Sequence, residues 1–244
     1  MVSVAQLKAK LASQSDFASE YCCRVNLNLY DSPTCEGLAT QAAAGRHLKV
    51  LSLSENPTLD SSPAIQVRLC EDDYLAWLPI ADISNIEEAD ASYQAIVLSQ
   101  TEINQRLPAV IAFTHDAMKQ SNYYLWGGTV APNYDCSGLM QAAFSSVNIW
   151  LPRDSYQQEF FTQRINITEL QPGDLVFFGT PEKVNHVGLY LGEGRYIHSS
   201  GKEMGRNGIG IDSLSEQGDE ISRGYYQRLR SFGRVVASYQ PKEF

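Results

Sequence analysis

With 244 residues, 43% of them hydrophobic and 19% charged, the chain has an ordinary globular composition and is long for one compact domain but comfortable for two. Nineteen basic residues against 28 acidic ones give a formal charge of −9 with no local basic patch, which excludes nucleic acid and anionic membrane as expected partners. The opening residues lack the continuous apolar core of an export signal, and no stretch approaches the roughly 18 apolar residues of a membrane span, so the sequence reads as cytoplasmic.

From about residue 21 to 100, short apolar runs ("RVNLNLY", "HLKVLSL", "AIQVRLC", "YLAWLPI") are separated by Pro, Gly, Ser and Asp clusters, the pattern of a small all-β unit. Over 101–120 the spacing becomes helical, with Leu107, Val110, Ile111, Phe113 and Met118 on an apolar face and Pro108 suited to a first turn. This change puts the expected division at residues 1–104 and 105–244. The loop "LWGGTVAPNY" then leads into "DCSGLMQAAFSSVNI", a helix whose natural N-cap is Asp135 and whose first turn holds Cys136. Beyond it, "DLVFFG", "HVGLYLG", "RYIHSS" and "RVVASYQ" read as strands, with turns at Pro172-Gly173 and Gly192-Glu193-Gly194. A helix followed by an antiparallel meander is an α+β arrangement.

The five cysteines, Cys22, Cys23, Cys35, Cys70 and Cys136, show no zinc-type spacing, and the first four are expected as buried thiols. No metal or other cofactor is implied. Cys136 differs because the start of a helix offers unpaired N–H groups and partial positive charge, which favour a thiolate and a developing oxyanion alike.

A nucleophilic thiol also needs a base, and the chain holds four histidines. His47 falls in the β unit, and His115 falls among apolar helix positions, where a satisfied structural histidine or an exposed one is expected. His186 and His198 lie on consecutive strands. If Gly192-Glu193-Gly194 is a three-residue loop, Leu191 faces Arg195 and Gly188 faces His198, which makes the two histidines diagonal neighbours on one sheet face. A two-residue loop would reverse the parity and separate them, leaving two histidines in a hairpin by coincidence. On one face, one imidazole takes the thiol proton while the second orients it.

These residues carry a resemblance. "YYLWGG", "DCSGLMQAAF", "LPRDSYQQ", "LQPGDLVFFG" and "HVGLYLGEGRYIHSS" occur in the order found in the NlpC/P60 family of papain-like cell-wall cysteine peptidases, and the chain from about 108 to 244 resembles that family. The preceding β unit, with "DDYLAWLP", looks like a bacterial SH3-like module. The resemblance implies a small SH3-like β-barrel followed by a papain-like domain, in which the nucleophile helix packs on an antiparallel sheet.

It further implies an endopeptidase cutting between γ-D-glutamate and an L-diamino acid in murein peptides that carry a free N-terminal L-alanine, in cell-wall recycling. Carried over residue by residue, it implies Cys136, His186 and His198 as the catalytic set with Tyr124 as a hydroxyl near the nucleophile. Substrate contacts are implied at Tyr74, Trp126, Asp135, Ser137 and Ser155. Glu36, Asp72 or Asp73 would stand as a second carboxylate for the amine. The individual binding positions keep plain alternatives: Asp135 as a cap only, Ser155 as the cap of "SYQQEFF", Tyr74 and Trp126 as core aromatics. The same catalytic core would serve an amidase or acyltransferase, and SH3-like modules also act as non-catalytic wall tethers.

Overall fold

Alternation of buried and exposed side chains along short strands organises the first half of the chain. The computed structural model describes residues 2–3, 5–7, 9, 19–53 and 64–242. It divides into two units, Met1–Ala95 with Pro241–Phe244 and Ile96–Gln240. The division precedes the expected 104/105 boundary because helix α1, Gln100–Lys119, begins at a capping box between Ser99 and Glu102 and belongs whole to the second unit. Pro108 therefore lies inside this helix rather than in its first turn.

The first unit is mainly β, with helical residues at 5–7 and 9 and a 3-10 helix over Ile80–Asn85. Its strands are β1 (Glu20–Cys23), β2 (Leu27–Tyr30), β3 (Leu38–Ala42), β4 (His47–Leu53), β5 (Ala64–Leu69), β6 (Leu75–Pro79) and β7 (Ile86–Glu88). They form one antiparallel sheet in the order β3-β2-β6-β5-β4-β1-β7. Its core holds Leu29, Leu48, Ile65, Val67, Leu69 and Leu78, inward positions of the apolar runs, together with Ile86 of β7. The sequence pattern missed β3 and β7, whose "LATQA" and "IEE" are too polar to stand out. Arg46 is buried between Glu71, at 3.1 Å, and Asp72, at 2.9 Å, which ties the start of β4 to the β5–β6 turn.

The second unit lays helices on an antiparallel sheet. After α1 come the short strands β8 (Thr129–Val130) and β9 (Asn133–Tyr134), then α2 (Cys136–Ser145) and α3 (Ser155–Phe161). The main sheet contains β10 (Gln163–Ile165), β11 (Leu175–Gly179), β12 (Val184–Gly192), β13 (Arg195–Ser200), β14 (Gly208–Ser213) and β15 (Leu229–Arg234), with α4 (Glu220–Tyr226) before the last strand. Its order is β10-β15-β11-β12-β13-β14, every pair antiparallel. One apolar core joins Leu139, Met140, Ala143 and Phe144 of α2 to Leu175, Phe177, Val187, Leu189 and Ile197 of the sheet. The expected strand "RVVASYQ" is a correction: pairing stops at Arg234, and the strand is the preceding "LRSFGR".

The β12–β13 hairpin decides the face on which its histidines point. Its loop has two residues, Glu193 (φ 52°) and Gly194 (φ 70°), both left-handed as a type I′ turn requires, and Gly192 pairs with Arg195. Such a loop alone would have reversed the parity. A bulge between Tyr190 and Gly192 restores it, so Tyr190 pairs with Tyr196 and Leu189 with Ile197, and His186 and His198 share a face after all.

Gly188 lies next along this ladder, where a Cβ would stand 2.7 Å from the Tyr196 ring and 3.2 Å from Cβ of His198. Gly188→Ala should therefore destabilise the protein by about 1–3 kcal/mol, as overpacking does. It should also lower turnover by displacing His198, measured by urea denaturation and steady-state kinetics on the same preparation.

Candidate active site

Asp135 fixes the start of α2. Its carboxylate accepts the Gly138 N–H at 2.7 Å as an N-cap, leaving Cys136 as the first helical residue. The same carboxylate accepts from the Gly127 N–H at 2.9 Å, the Ser137 hydroxyl at 3.2 Å, and both terminal nitrogens of Arg153 at 3.2 and 2.6 Å. Arg153, 2% exposed, also donates to Ser137 Oγ at 3.0 Å. Five donors on two oxygens occupy the carboxylate's acceptor capacity. The cap role is thus present, and a substrate amine would meet Asp135 as a sixth donor.

Cys136 is buried, and its sulfur has the backbone N–H groups of Val187 and Ser137 as donors that favour the thiolate. Burial outweighs them, with the Asp135 charge acting in the same direction as burial, and pushes the thiol up to about 12. Val187 directly follows His186, so the sulfur faces the base-bearing strand. His186 is held well below its ordinary 6.5 by burial first, then by the repulsion that a second proton would meet from His198 and by the charge of Arg228. Burial lowers His198 too, against the pull of Asp212. The resting pair, Cys136 and His186, is a neutral thiol and a neutral imidazole.

The two imidazoles meet directly, His186 Nε2 to His198 Nδ1 at 2.6 Å. His198 Nε2 lies 2.6 Å from Oδ2 of Asp212, and Arg206 donates to both oxygens of that carboxylate, through Nε to Oδ2 at 3.1 Å and through Nη2 to Oδ1. Burial raises the Asp212 carboxyl, but the hydrogen bonds from His198 and Arg206 outweigh it and hold the group below its usual range. The Tyr225 ring packs 4.5 Å from His186 and 4.8 Å from His198, its hydroxyl 2.7 Å from Ser200 Oγ. Burial first, then the electrostatic influence of Cys136 and Asp135, keeps Tyr124 protonated, so its hydroxyl is a donor.

The other expected positions separate clearly. Ser137 is buried in the Asp135–Arg153 network. Ser155 is the first residue of α3, and the capping box there is Asp154 with Gln157, which corrects the cap reading of Ser155. Trp126 is 73% exposed next to the nucleophile loop, which rules out the core-aromatic alternative. In the first unit, Tyr74 is half-buried against that unit's core, and its N–H donates to Asp72 at 3.2 Å. Glu36 is exposed, Asp72 is paired with Arg46, and Asp73 lies 3.8 Å from Arg68. His47 pairs with Glu20 at 3.3 Å.

Two residues bonded into the candidate site escaped the sequence pattern. Arg153 sits in the quoted "LPRDSYQQ" but gave no signal of partnership with Asp135, eighteen positions away. Asp212 lies in "GIGIDS", whose glycines hide a strand.

Residues 121–227 match the NlpC/P60 family, and residues 29–83 match the bacterial dipeptidyl-peptidase Sh3 domain. The chain is 38% identical over 112 residues to a probable endopeptidase p60 of Listeria seeligeri, a match covering 46% of this chain and 19% of that protein. It is 38% identical over 79 residues to the gamma-D-glutamyl-L-lysine dipeptidyl-peptidase of Bacillus subtilis, covering 31% of this chain and 27% of that one. The chain thus spans about a fifth to a quarter of the length of these relatives. A crystal structure of an NlpC/P60 family protein from Bacillus cereus superposes with a TM-score of 0.45 at 21% identity, over 92% of this chain and 65% of that one.

Two outcomes follow from the geometry. Arg153→Met strands the buried Asp135 charge and should cost about 3–5 kcal/mol. In chemical denaturation the loss should shrink when Asp135→Asn is added, since the two groups act on each other. Because His186 serves as a base only when neutral and its protonation lies below 6.5, kcat/KM should stay level from neutral pH to below 6.5 and fall only on further acidification. The pH–rate profile of the free enzyme measures this limb.

Proposed function

The chain joins a bacterial SH3 domain to an NlpC/P60 domain, and from this we propose that it is a cysteine endopeptidase cleaving the γ-D-glutamyl bond to an L-diamino acid in murein peptides. The observation that carries the proposal is Cys136 at a helix N-terminus, its sulfur against the backbone of the strand that presents His186, with His186 bonded to His198 at 2.6 Å. The name of the Bacillus subtilis relative, a gamma-D-glutamyl-L-lysine dipeptidyl-peptidase, supports the choice of bond.

In this reading the substrate carbonyl approaches Cys136, and His186 removes the thiol proton as sulfur attacks. Burial that keeps the resting pair neutral does not obstruct the step, because proton transfer and attack proceed together under general-base catalysis. The oxygen that becomes negative is received by N–H groups at the start of α2 and by the Tyr124 hydroxyl. The amine leaves with the proton from His186, and water then opens the thioester by the same base. The exposed Trp126 offers a flat apolar face to the peptide.

We extend the proposal to substrates with a free L-alanine amine. Such a requirement confines the enzyme to peptides already released from their sugar, and so to wall-peptide turnover in the cytoplasm. Product analysis on L-Ala-γ-D-Glu-diamino acid peptides tests the whole reading. We expect release of the diamino acid portion, none with Cys136→Ala, and a loss of at least about 100-fold when the alanine is acetylated, since a buried amine site rejects a ligand that cannot pair with it. Cleavage surviving in Cys136→Ala removes the nucleophile, and equal rates on the acetylated peptide remove the free-amine requirement.

A further inference from the structure

The hydrogen-bond chain behind the nucleophile does not end at the second histidine. It continues to Asp212 and Arg206, and the direction of its hydrogens follows from its far end. We infer that Asp212, held by Arg206, sets the tautomers of both histidines and thereby leaves Nδ1 of His186 as the bare nitrogen that receives the Cys136 proton. This inference deepens the cysteine-peptidase reading and rests on it for its catalytic meaning.

A carboxylate only accepts hydrogen bonds. Arg206 donates to both oxygens of Asp212 and never deprotonates, so the carboxyl stays ionised there despite being buried. The 2.6 Å contact between His198 Nε2 and Asp212 Oδ2 must therefore carry its hydrogen on the histidine. A neutral imidazole has one N–H, so Nδ1 of His198 is bare and accepts. Its partner at 2.6 Å, Nε2 of His186, must then donate. That uses the single hydrogen of neutral His186 and leaves its Nδ1 with a free electron pair.

Among the described residues, no other hydrogen bond to either imidazole competes with this assignment. His198 is fully buried, its ring walled by Tyr196 and Tyr225, whose ring centroids lie 4.8 Å away. The Tyr225 hydroxyl is engaged with Ser200 rather than with either imidazole.

The proton inventory closes. The Sγ–H bond breaks, its electron pair forms the bond to the substrate carbon, and the proton binds Nδ1 of His186. The resulting imidazolium keeps its Nε2–H on His198, so its charge faces a chain ending in a carboxylate, and no proton moves to Asp212. On collapse, the Nδ1 proton passes to the departing amine.

The inference distinguishes Asp212 from a structural acid. In Asp212→Asn the amide oxygen takes the Oδ1 position, where Arg206 Nη2 makes its closer contact and the Ser222 hydroxyl also donates, so the NH2 takes the Oδ2 position and faces His198. The chain then reverses: His198 accepts at Nε2, donates from Nδ1, and His186 holds its hydrogen on Nδ1, where it can no longer take the thiol proton. Asp212 is a positioning residue in this scheme, acting on the nucleophile only through two imidazoles.

The test is long-range 1H–15N correlation spectroscopy of the full chain with labelled histidine at neutral pH, joined to kinetics. Wild type should show both His186 and His198 protonated at Nε2. Asp212→Asn should move both to Nδ1, lower kcat by roughly 10²- to 10⁴-fold with little change in KM, and slow alkylation of Cys136 by iodoacetamide. Asp212→Glu should recover part of the rate. A hydrogen on Nδ1 of wild-type His186 overturns the inference even if no variant folds. So does an Asp212→Asn protein whose spectra and alkylation rate equal those of wild type. The spectra and the alkylation need no substrate, so expected tautomers without murein-peptide cleavage sink the substrate reading alone. Cleavage with the opposite tautomer sinks this inference alone.

Discussion

The site depends first on a bulge at Leu191 in the β12–β13 hairpin, one residue of backbone between Tyr190 and Gly192. A two-residue type I′ turn ending in an unbroken ladder would have pointed His186 and His198 to opposite faces. With the extra residue taken up on one strand, the ladder beyond it returns to the parity that sets the two imidazoles 2.6 Å apart. The bulge therefore sets the face that the two histidines share, although it lies several residues from either imidazole. Gly188 completes the arrangement, because its place in the ladder lies where a side chain would press on Tyr196 and His198.

The nucleophile depends on a second constraint, the buried pair of Asp135 and Arg153. One carboxylate caps α2, holds the Gly127 backbone and anchors the segment that opens α3. Three separate stretches of chain are thereby referred to one point next to Cys136. The hydrophobic core beneath explains why α2 packs on the sheet; this polar junction explains why it does so at the height and rotation that bring sulfur to the Val187 N–H. Packing alone tolerates a sliding helix, whereas five directed hydrogen bonds do not.

How much of this was legible in the sequence varies with the range over which the signal acts. The cap at Asp135 and the helix after it were readable because both are local. The shared face of the histidines was reached through a loop length that the structure corrects: the bulge supplied the parity that the missing third loop residue would have given. Strands β3, β7 and β14 were hidden because polar or glycine-rich edges carry no clean period of two. Asp212 was lost with β14. Arg153 was in plain view, but a pairing across a fold has no spacing rule comparable to the i, i+4 rule of a helix.

Charge pairing around the nucleophile gives these features one electrostatic logic. Two buried carboxylates belong to the site, Asp135 beside the thiol and Asp212 behind the histidines, and each is matched by an arginine. Unmatched, Asp135 would oppose a thiolate at Cys136 in a region where water screens poorly. Arg153 counters that field, acting on the thiol in the opposite sense to Asp135. At the other end, Arg206 keeps Asp212 ionised without making it a free base. Between the two pairs lie a neutral thiol and two neutral imidazoles, so charge need be separated only when a carbonyl is present to accept the sulfur. A buried thiol held in this state resists oxidation, since the thiolate is the reactive form.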